Sequence, residues 1–241
     1  MAHQWMERLL TQVGTRNESE RASWVKLALA KIPAGARILD AGAGEQPYKS
    51  FCSHLRYVAQ DFARYDGMGN GKGLQTGAWN QSGLDIVCDI AAIPEPDASY
   101  DAVLCLEVLE HLPEPLLALG ELSRLLKPGG QLILTAPFCS LTHFAPYHFT
   151  TGFSIYFYRH HLPLLGLEIM EAIPNGNYFE YLAQELRRLP QVAERYANEK
   201  VKKRELLLIG VLLRMLDRFS RKDNGSSNLL NYGYHLLARK R

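Results

Sequence analysis

Cysteine is sparse in this chain. There are four, Cys52, Cys88, Cys105 and Cys139, far apart and without a C-x-x-C pair. That spacing argues against a zinc site or a disulfide framework and for reduced, mostly core-packed thiols. No metal-ligand set is read in the sequence. Long apolar runs are also absent. The longest, Leu206 to Leu213, has eight residues, whereas a bilayer span needs roughly 20. The opening MAHQWMERLL is polar and has no signal-peptide apolar region. The expectation is a cytoplasmic protein, with the N-x-S triplets at Asn17 and Asn224 as chance matches. An excess of one charge is lacking: 27 Lys+Arg against 25 Asp+Glu leave +2. The whole chain therefore carries no signal for nucleic acid, although a local patch could. Repeats and low-complexity segments are missing as well. What remains is ordinary: 241 residues, 47% hydrophobic and 22% charged. This excludes disordered, collagen-like and coiled-coil classes and suits one generous domain, residues 1–241.

Residues 2–31 read as helical, with Asn17 and Glu20 spaced as a capping box and Trp24, Leu27 and Leu29 on an apolar face. Pro33 and Gly35 end that segment. Short apolar runs then end in Asp or a small residue: Arg37–Asp40, Tyr57–Asp61, Leu84–Asp89, Asp101–Leu106 and Gln131–Ala136. A helix over Glu114–Leu126, stopped by the turn Lys127-Pro-Gly-Gly130, separates the last two. Strands alternating with helices imply a parallel α/β sheet. Residues 62–83 break the pattern. They hold six glycines (67, 69, 71, 73, 77 and 83) and no apolar period, so a long loop, either a ligand lid or a surface insertion, replaces a helix. Leu167–Asn175 and Tyr232–Arg239 read as further strands. Between them two helices, 178–196 and 199–221, form a helical insertion over 176–222. The second carries Lys203, Arg214, Arg218 and Arg221 on one stripe and Leu208, Leu212, Met215, Leu216 and Phe219 on a wide apolar face.

The richest segment is Ile38-Leu-Asp-Ala-Gly-Ala-Gly-Glu-Gln-Pro47. Gly42 and Gly44 follow a strand directly, where glycine lets the backbone turn tightly beside a ligand. Asp40 precedes them, and Pro47 stands where a dinucleotide fingerprint has its third glycine. A carboxylate beside the loop disfavours pyrophosphate and attracts an ammonium or sulfonium group. Asp61 ends the second strand, 19 residues after Gly42, as suits an acceptor for two ribose hydroxyls. Asp89 ends the third, where it could accept from an exocyclic amine, with Ile90 covering a purine face. Leu106-Glu107 ends the fourth. Any one such acid could be a helix or turn cap; three in order behind a glycine loop are hard to explain that way.

On these residues the stretch from Ile38 to Pro137 resembles the class I S-adenosylmethionine-dependent methyltransferases. Asp40-Ala-Gly-Ala-Gly44 is similar to that superfamily's first motif, Asp61 to its ribose-binding acid, and Cys88-Asp-Ile90 to its adenine-binding segment. Ser99–Leu112 is similar to its fourth-strand segment, and Leu122–Gly130 to the helix and turn before its fifth strand. The resemblance implies a Rossmann-like, seven-stranded, mostly parallel sheet with helices on both faces, an N-terminal helical segment and the helical insertion before the last strand. It implies S-adenosylmethionine as cofactor, held by Asp40, Ala41, Gly42, Gly44, Asp61, Phe62, Asp89, Ile90, Leu106 and Glu107. It implies methyl transfer at oxygen or nitrogen of a small-molecule or glycan-like acceptor. The superfamily's helix between strands two and three is missing here, which makes Trp79 a candidate stacking or lid residue.

The reacting groups should lie beyond strands four and five. Phe138–Thr150 puts His143 and His148 among Phe144, Tyr147 and Phe149. Both histidines are candidate bases, since imidazole titrates near neutrality; either could instead order the loop. His111 reads as a support of its turn. His160-His161, read at a helix start, is structural. Tyr147, Tyr156 and Tyr158 are either pocket wall or core. Lys200, Lys202, Lys203 and Arg204 form a basic cluster, which leaves a peripheral membrane contact and a homodimer open, with packing on the domain or a second subunit preferred. Three rival functions are a nicotinamide-dependent oxidoreductase, disfavoured by Asp40 and Pro47, a non-catalytic scaffold of the same fold, and a nucleic-acid methylase resting on that cluster alone.

Overall fold

A computed structural model describes residues 11–241. The helix expected from residue 2 therefore lies partly outside the described residues. Within them the helix is shorter than expected: residues 11–16 are turn and extended chain, and α1 spans Asn17–Ala30. By its contacts the chain divides into two units. One comprises Arg21–Ile173 and Gly233–Arg241; the other comprises Pro174–Tyr232 with the described residues up to Glu20.

The strands are β1 (Arg37–Ala41), β2 (Arg56–Asp61), β3 (Ile86–Val87), β4 (Tyr100–Leu106), β5 (Leu126–Pro137), β6 (Leu167–Asn175) and β7 (Gly233–Lys240). They form one seven-stranded sheet in the order β3-β2-β1-β4-β5-β7-β6. The pairs among β1, β2, β3, β4 and β5 are parallel, and β7 runs antiparallel to β5. The order reverses beside β1, so a crevice opens at the carboxyl ends of β1 and β4, where such sheets bind ligands. The remaining helices of the first unit are α2 (Pro115–Leu125), which opens on Pro115, and α3 (Ile155–Leu164).

Both faces of the sheet are covered, and the period of two along the strands shows it. Leu39, Val103, Cys105, Leu132 and Leu134 point into a core with Leu119 and Leu122 of α2 and Tyr158 and Leu162 of α3. Their neighbours Ile38, Ala102, Leu104 and Ile133 point into a second core with Val25, Ala28 and Leu29 of α1. The Rossmann-like class read from the sequence is the one observed.

Some local expectations need correction. The strand read over Leu84–Asp89 is only Ile86–Val87, at the sheet edge. The turn Lys127–Gly130 lies inside β5, where the β4–β5 register shifts between Tyr100 and Ala102. His160 and His161 fall late in α3, which starts after Ser154, not at a helix start.

The other unit contains α4 (Tyr178–Val192) and α5 (Lys203–Ser220), shorter than the 178–196 and 199–221 expected because α4 passes into a π turn at Ala193–Ala197. Asn177 caps α4 by accepting from Phe179 N and Glu180 N at 3.1 and 3.0 Å. Ala183 packs with Val13, Leu213 and Leu216. Of the apolar face expected on α5, Leu216 is buried, together with Leu213 beside it, whereas Leu208, Met215 and Phe219 are exposed. Glu180, buried, accepts from Gly14 N at 2.7 Å, from Arg16 and from the Tyr232 hydroxyl. Among the described residues no helix is long and apolar enough to cross a membrane.

Candidate active site

The glycine turn after β1 is tied to the end of β2. Gly42 and Ala43 donate backbone N–H groups to Gln60 O, each at 2.9 Å. Gly42 has φ +75°, and a Cβ there would meet Val108 Cγ2 at 2.5 Å, so only glycine passes this point without displacing Val108. Asp61, buried, accepts from Gly44 N at 3.0 Å and from Ala63 N at 2.9 Å. Its carboxylate is thereby fixed at the mouth of the turn with lone pairs to spare for hydroxyl donors. Glu107, just past β4, is held at φ +53° and paired with Arg21 at 3.0 Å. A non-glycine residue in the left-handed region next to a crevice is the kind of strain found at working sites.

These elements border one cavity of about 470 Å³, within the range of small-molecule and cofactor sites. Of the residues expected at a cofactor, Gly42, Asp61, Phe62, Asp89, Ile90 and Glu107 line it. Asp40, Ala41, Gly44 and Leu106 do not, for identifiable reasons. Asp40 is buried and accepts from the Tyr57 hydroxyl at 2.5 Å. Ala41 and Leu106 pack into the two cores. Gly44 is covered by the Trp79 ring, 3.1 Å from where its Cβ would stand. Burial pushes the Asp40 carboxyl up to about 7; the Tyr57 hydrogen bond opposes this and the Asp61 charge adds to it.

The loop 62–83, read as either a ligand lid or a surface insertion, contributes Phe62, Arg64, Tyr65 and Trp79 to the cavity wall. It pairs with the loop after β5: Leu74 N donates to Thr142 O and Phe144 N to Leu74 O, both at 3.0 Å, and Asn70 N donates to Ala145 O at 3.0 Å. Such backbone contact needs glycine; a Cβ at Gly73 would lie 2.5 Å from Thr142 O. The two loops join Tyr65, Trp79 and Phe144 in one aromatic cluster on the cavity wall, with ring centroids 4.7–5.3 Å apart.

The catalytic reading of His143 and His148 is not carried by this geometry, since neither lines the cavity. His143 Nδ1 lies 2.8 Å from Leu141 O, and His148 Nε2 lies 3.2 Å from Ser140 Oγ. The imidazole on the wall is His111, read from the sequence as a turn support. It is both: Nδ1 is held by Tyr147 O at 2.5 Å while the ring stacks on Phe144. Burial, reinforced by the neighbouring His143, lowers His111 to about 3. Burial likewise lowers His148. Burial would lower His143, but the nearby Glu110 carboxylate outweighs it and the net direction is up. Glu110 is itself raised by burial, against the pull of His143. Tyr147 lines the cavity, Tyr158 is core and Tyr156 is exposed. Phe149 also lines it.

The donor set fits S-adenosylmethionine better than a dinucleotide. Three carboxylates, Asp61, Asp89 and Glu107, face the cavity against one basic side chain, Arg64, an arrangement that repels pyrophosphate and favours a cationic ligand.

Similarity to known proteins leads to the same family. The chain is 37% identical over 105 residues to the ubiquinone biosynthesis O-methyltransferase of Xanthomonas oryzae pv. oryzae, a match covering 42% of this chain and 43% of that one. It therefore spans less than half the length of that relative. It is 33% identical over 174 residues to the demethylmenaquinone methyltransferase of Renibacterium salmoninarum, covering 69% and 66%. The solved structure of a SAM-dependent methyltransferase from Archaeoglobus fulgidus superposes with a TM-score of 0.52 at 14% identity over 93% of this chain and 94% of that one, a likeness of fold. A family model described as a methyltransferase domain matches residues 13–193, and by that match this chain belongs to the methyltransferase-domain family.

Proposed function

We propose that this protein transfers a methyl group from S-adenosylmethionine to an oxygen of a small, hydroxyl-bearing acceptor. The observation that carries the reading is the one cavity onto which Gly42 and the acids Asp61, Asp89 and Glu107 open together, walled on another side by the rings of Tyr65, Trp79 and Phe144. The relatives named as quinone-pathway methyltransferases support a ring-bearing acceptor, as do the flat walls of Tyr65, Phe144 and Tyr147. The cofactor supplies a methyl carbon already activated by its sulfonium charge. The residues present then have to bind, orient and exclude water. Asp61 accepts the ribose hydroxyls, Asp89 the adenine amine, and Ile90 covers the ring. Glu107 faces the cationic end of the ligand. The lid keeps bulk water from the acceptor side. No proton-accepting role is assigned to His143 or His148.

Calorimetric titration tests this. S-adenosylmethionine should bind and NAD(P) should not. Asp61→Asn, which keeps one acceptor oxygen for Gly44 N, should weaken binding by about 1.5–3 kcal/mol, the worth of charge-assisted hydrogen bonds. A protein that ignores S-adenosylmethionine would end the proposal.

A further inference from the structure

Behind the His111 wall, three side chains converge in a way methyl transfer does not explain. Glu110 sits in the turn Leu109–His111 after β4 and is fully buried. Neither of its carboxylate oxygens has a hydrogen-bond partner among the described residues. A buried carboxylate left so is costly unless something else satisfies it. Two imidazoles face it, and both are fixed in the same sense. His111 Nδ1 contacts Tyr147 O at 2.5 Å and His143 Nδ1 contacts Leu141 O at 2.8 Å. A carbonyl only accepts, so each Nδ1 carries the hydrogen and each neutral ring presents a bare lone pair at Nε2. Those Nε2 atoms lie 3.6 and 3.7 Å from Glu110 Oε1, too far for hydrogen bonds, and His111 Nε2 has no other partner. Three electron-pair donors thus converge on one point, with no cationic side chain there other than His143 itself when it is protonated beside Glu110.

We propose that Glu110, His111 and His143 bind one divalent transition-metal ion of the zinc type. Their ligand atoms lie within 4.8 Å of one another. Ligands at 2.0–2.1 Å around a tetrahedral ion stand about 3.3 Å apart, so closing the site takes a contraction of a few tenths of an ångström between Glu110 and each imidazole and of at most about 1.5 Å between the two imidazoles. The backbone carbonyls at both Nδ1 atoms are the outer partners that orient metal-bound imidazoles. Two nitrogens and one carboxylate select zinc, cobalt or nickel over magnesium and calcium. Three protein ligands leave a fourth position, the pattern of ions that do chemistry. His111 belongs both to this set and to the cavity wall. On the functional reading above, an ion held there would acidify an acceptor hydroxyl at that position, its proton leaving to bulk solvent as the acceptor enters, and the oxygen lone pair would then take the methyl carbon as the sulfonium C–S bond breaks. His148 stays outside the set, bonded to Ser140 Oγ.

The test uses the untagged full chain, stripped with a chelator and titrated with Zn²⁺ by calorimetry and with Co²⁺ by absorption. One ion per chain should bind, with cobalt bands of a nitrogen–oxygen site, in the presence of excess Mg²⁺. His143→Asn should weaken Zn²⁺ by more than the 10–100-fold that losing an outer partner alone brings about, and His148→Asn should leave it unchanged. S-adenosylmethionine binding, measured on each sample, reports an intact fold and separates the two proposals: its absence in the wild type sinks the functional reading and leaves the metal result standing. Failure of the wild type to retain one ion, or wild-type Zn²⁺ affinity in His143→Asn, overturns the site and leaves a shared proton as the occupant.

Discussion

The glycine turn offers a perturbation whose cost can be resolved into two parts. Gly42→Ala puts a Cβ on a residue at φ +75°, which costs about 1–2 kcal/mol for an L-residue in the left-handed region. The new atom also falls 2.5 and 2.9 Å from the two methyls of Val108. Valine is stiff at χ1, so the overlap is relieved by shifting backbone, at about 1–3 kcal/mol. The single variant should therefore lose about 2–5 kcal/mol. Val108→Ala alone deletes two methyls, about 1.6 kcal/mol at 0.8 per carbon if fully buried. In the double variant the strain remains and the overlap does not. The two changes should then be less than additive, with a coupling of about 1–3 kcal/mol favouring the double variant. Urea denaturation of the four proteins measures it, with constant m as the check on two-state behaviour. Strict additivity, or a Gly42→Ala protein as stable as wild type, would refute the argument that the turn needs glycine because Val108 lies against it.

Asp40 makes stability fall with rising pH. Its folded carboxyl titrates at about 7, above the ordinary value of 3.8. Between these values the native state keeps a proton that the unfolded chain has released, so unfolding free energy declines by a few kcal/mol from about pH 4 to 7 and then levels. Asp40→Asn should flatten that decline in thermal melts, and Tyr57→Phe, which removes the bond lowering this group, should extend it above pH 7. Trp79→Ala should reduce S-adenosylmethionine affinity by about two- to tenfold, since an aromatic contact is worth roughly 0.5–1.5 kcal/mol, with little change in the melting of the sheet. Glu180→Gln should destabilise by about 3 kcal/mol in urea, because it neutralises a buried acceptor shared by Gly14 N, Arg16 and Tyr232.

The parts legible in the sequence were those written locally. Short apolar runs reaching an acid, Asp40, Asp61 and Glu107, marked β1, β2 and β4, because a strand buried on both faces must be apolar until it reaches the ligand edge. Gly42, Asp61, Asp89 and Glu107 were readable because each sits at such an end. What stayed hidden depends on partners distant in sequence. Nothing near Asp40 announces that Tyr57 will hold it beneath the turn. Nothing near Gly44 says that Trp79 will cover it. In the sequence His143 and His148 looked interchangeable as candidate bases, and His111 read only as a support of its turn. Only the fold decides that Tyr147 O draws His111 onto the cavity wall while Leu141 O holds His143 off it.

The lid accounts for the missing helix between β2 and β3. A helix satisfies its own backbone and presents side chains outward, so it cannot lie backbone to backbone against a neighbouring loop. The glycine-rich segment does the opposite. Its amides and carbonyls at Asn70 and Leu74 are satisfied by Thr142, Phe144 and Ala145, and the small residues allow that approach. Two otherwise independent loops become one strap, and Trp79 reaches the turn at Gly44. The strap also fixes the position of His143, because Leu74 bridges to it in parallel pairing. The aromatic wall and the His143 side of the Glu110 cluster are therefore braced by one set of backbone hydrogen bonds, and the cofactor turn, itself tied to Gln60 O, meets that strap through Trp79. A side chain forced in at Gly73, toward Thr142 O at 2.5 Å, should disturb all three at once. Gly73→Val is thus expected to weaken S-adenosylmethionine and Zn²⁺ binding together, while substitution at Gly71, where nothing lies within 4 Å of a Cβ, carries only the cost of its backbone angle.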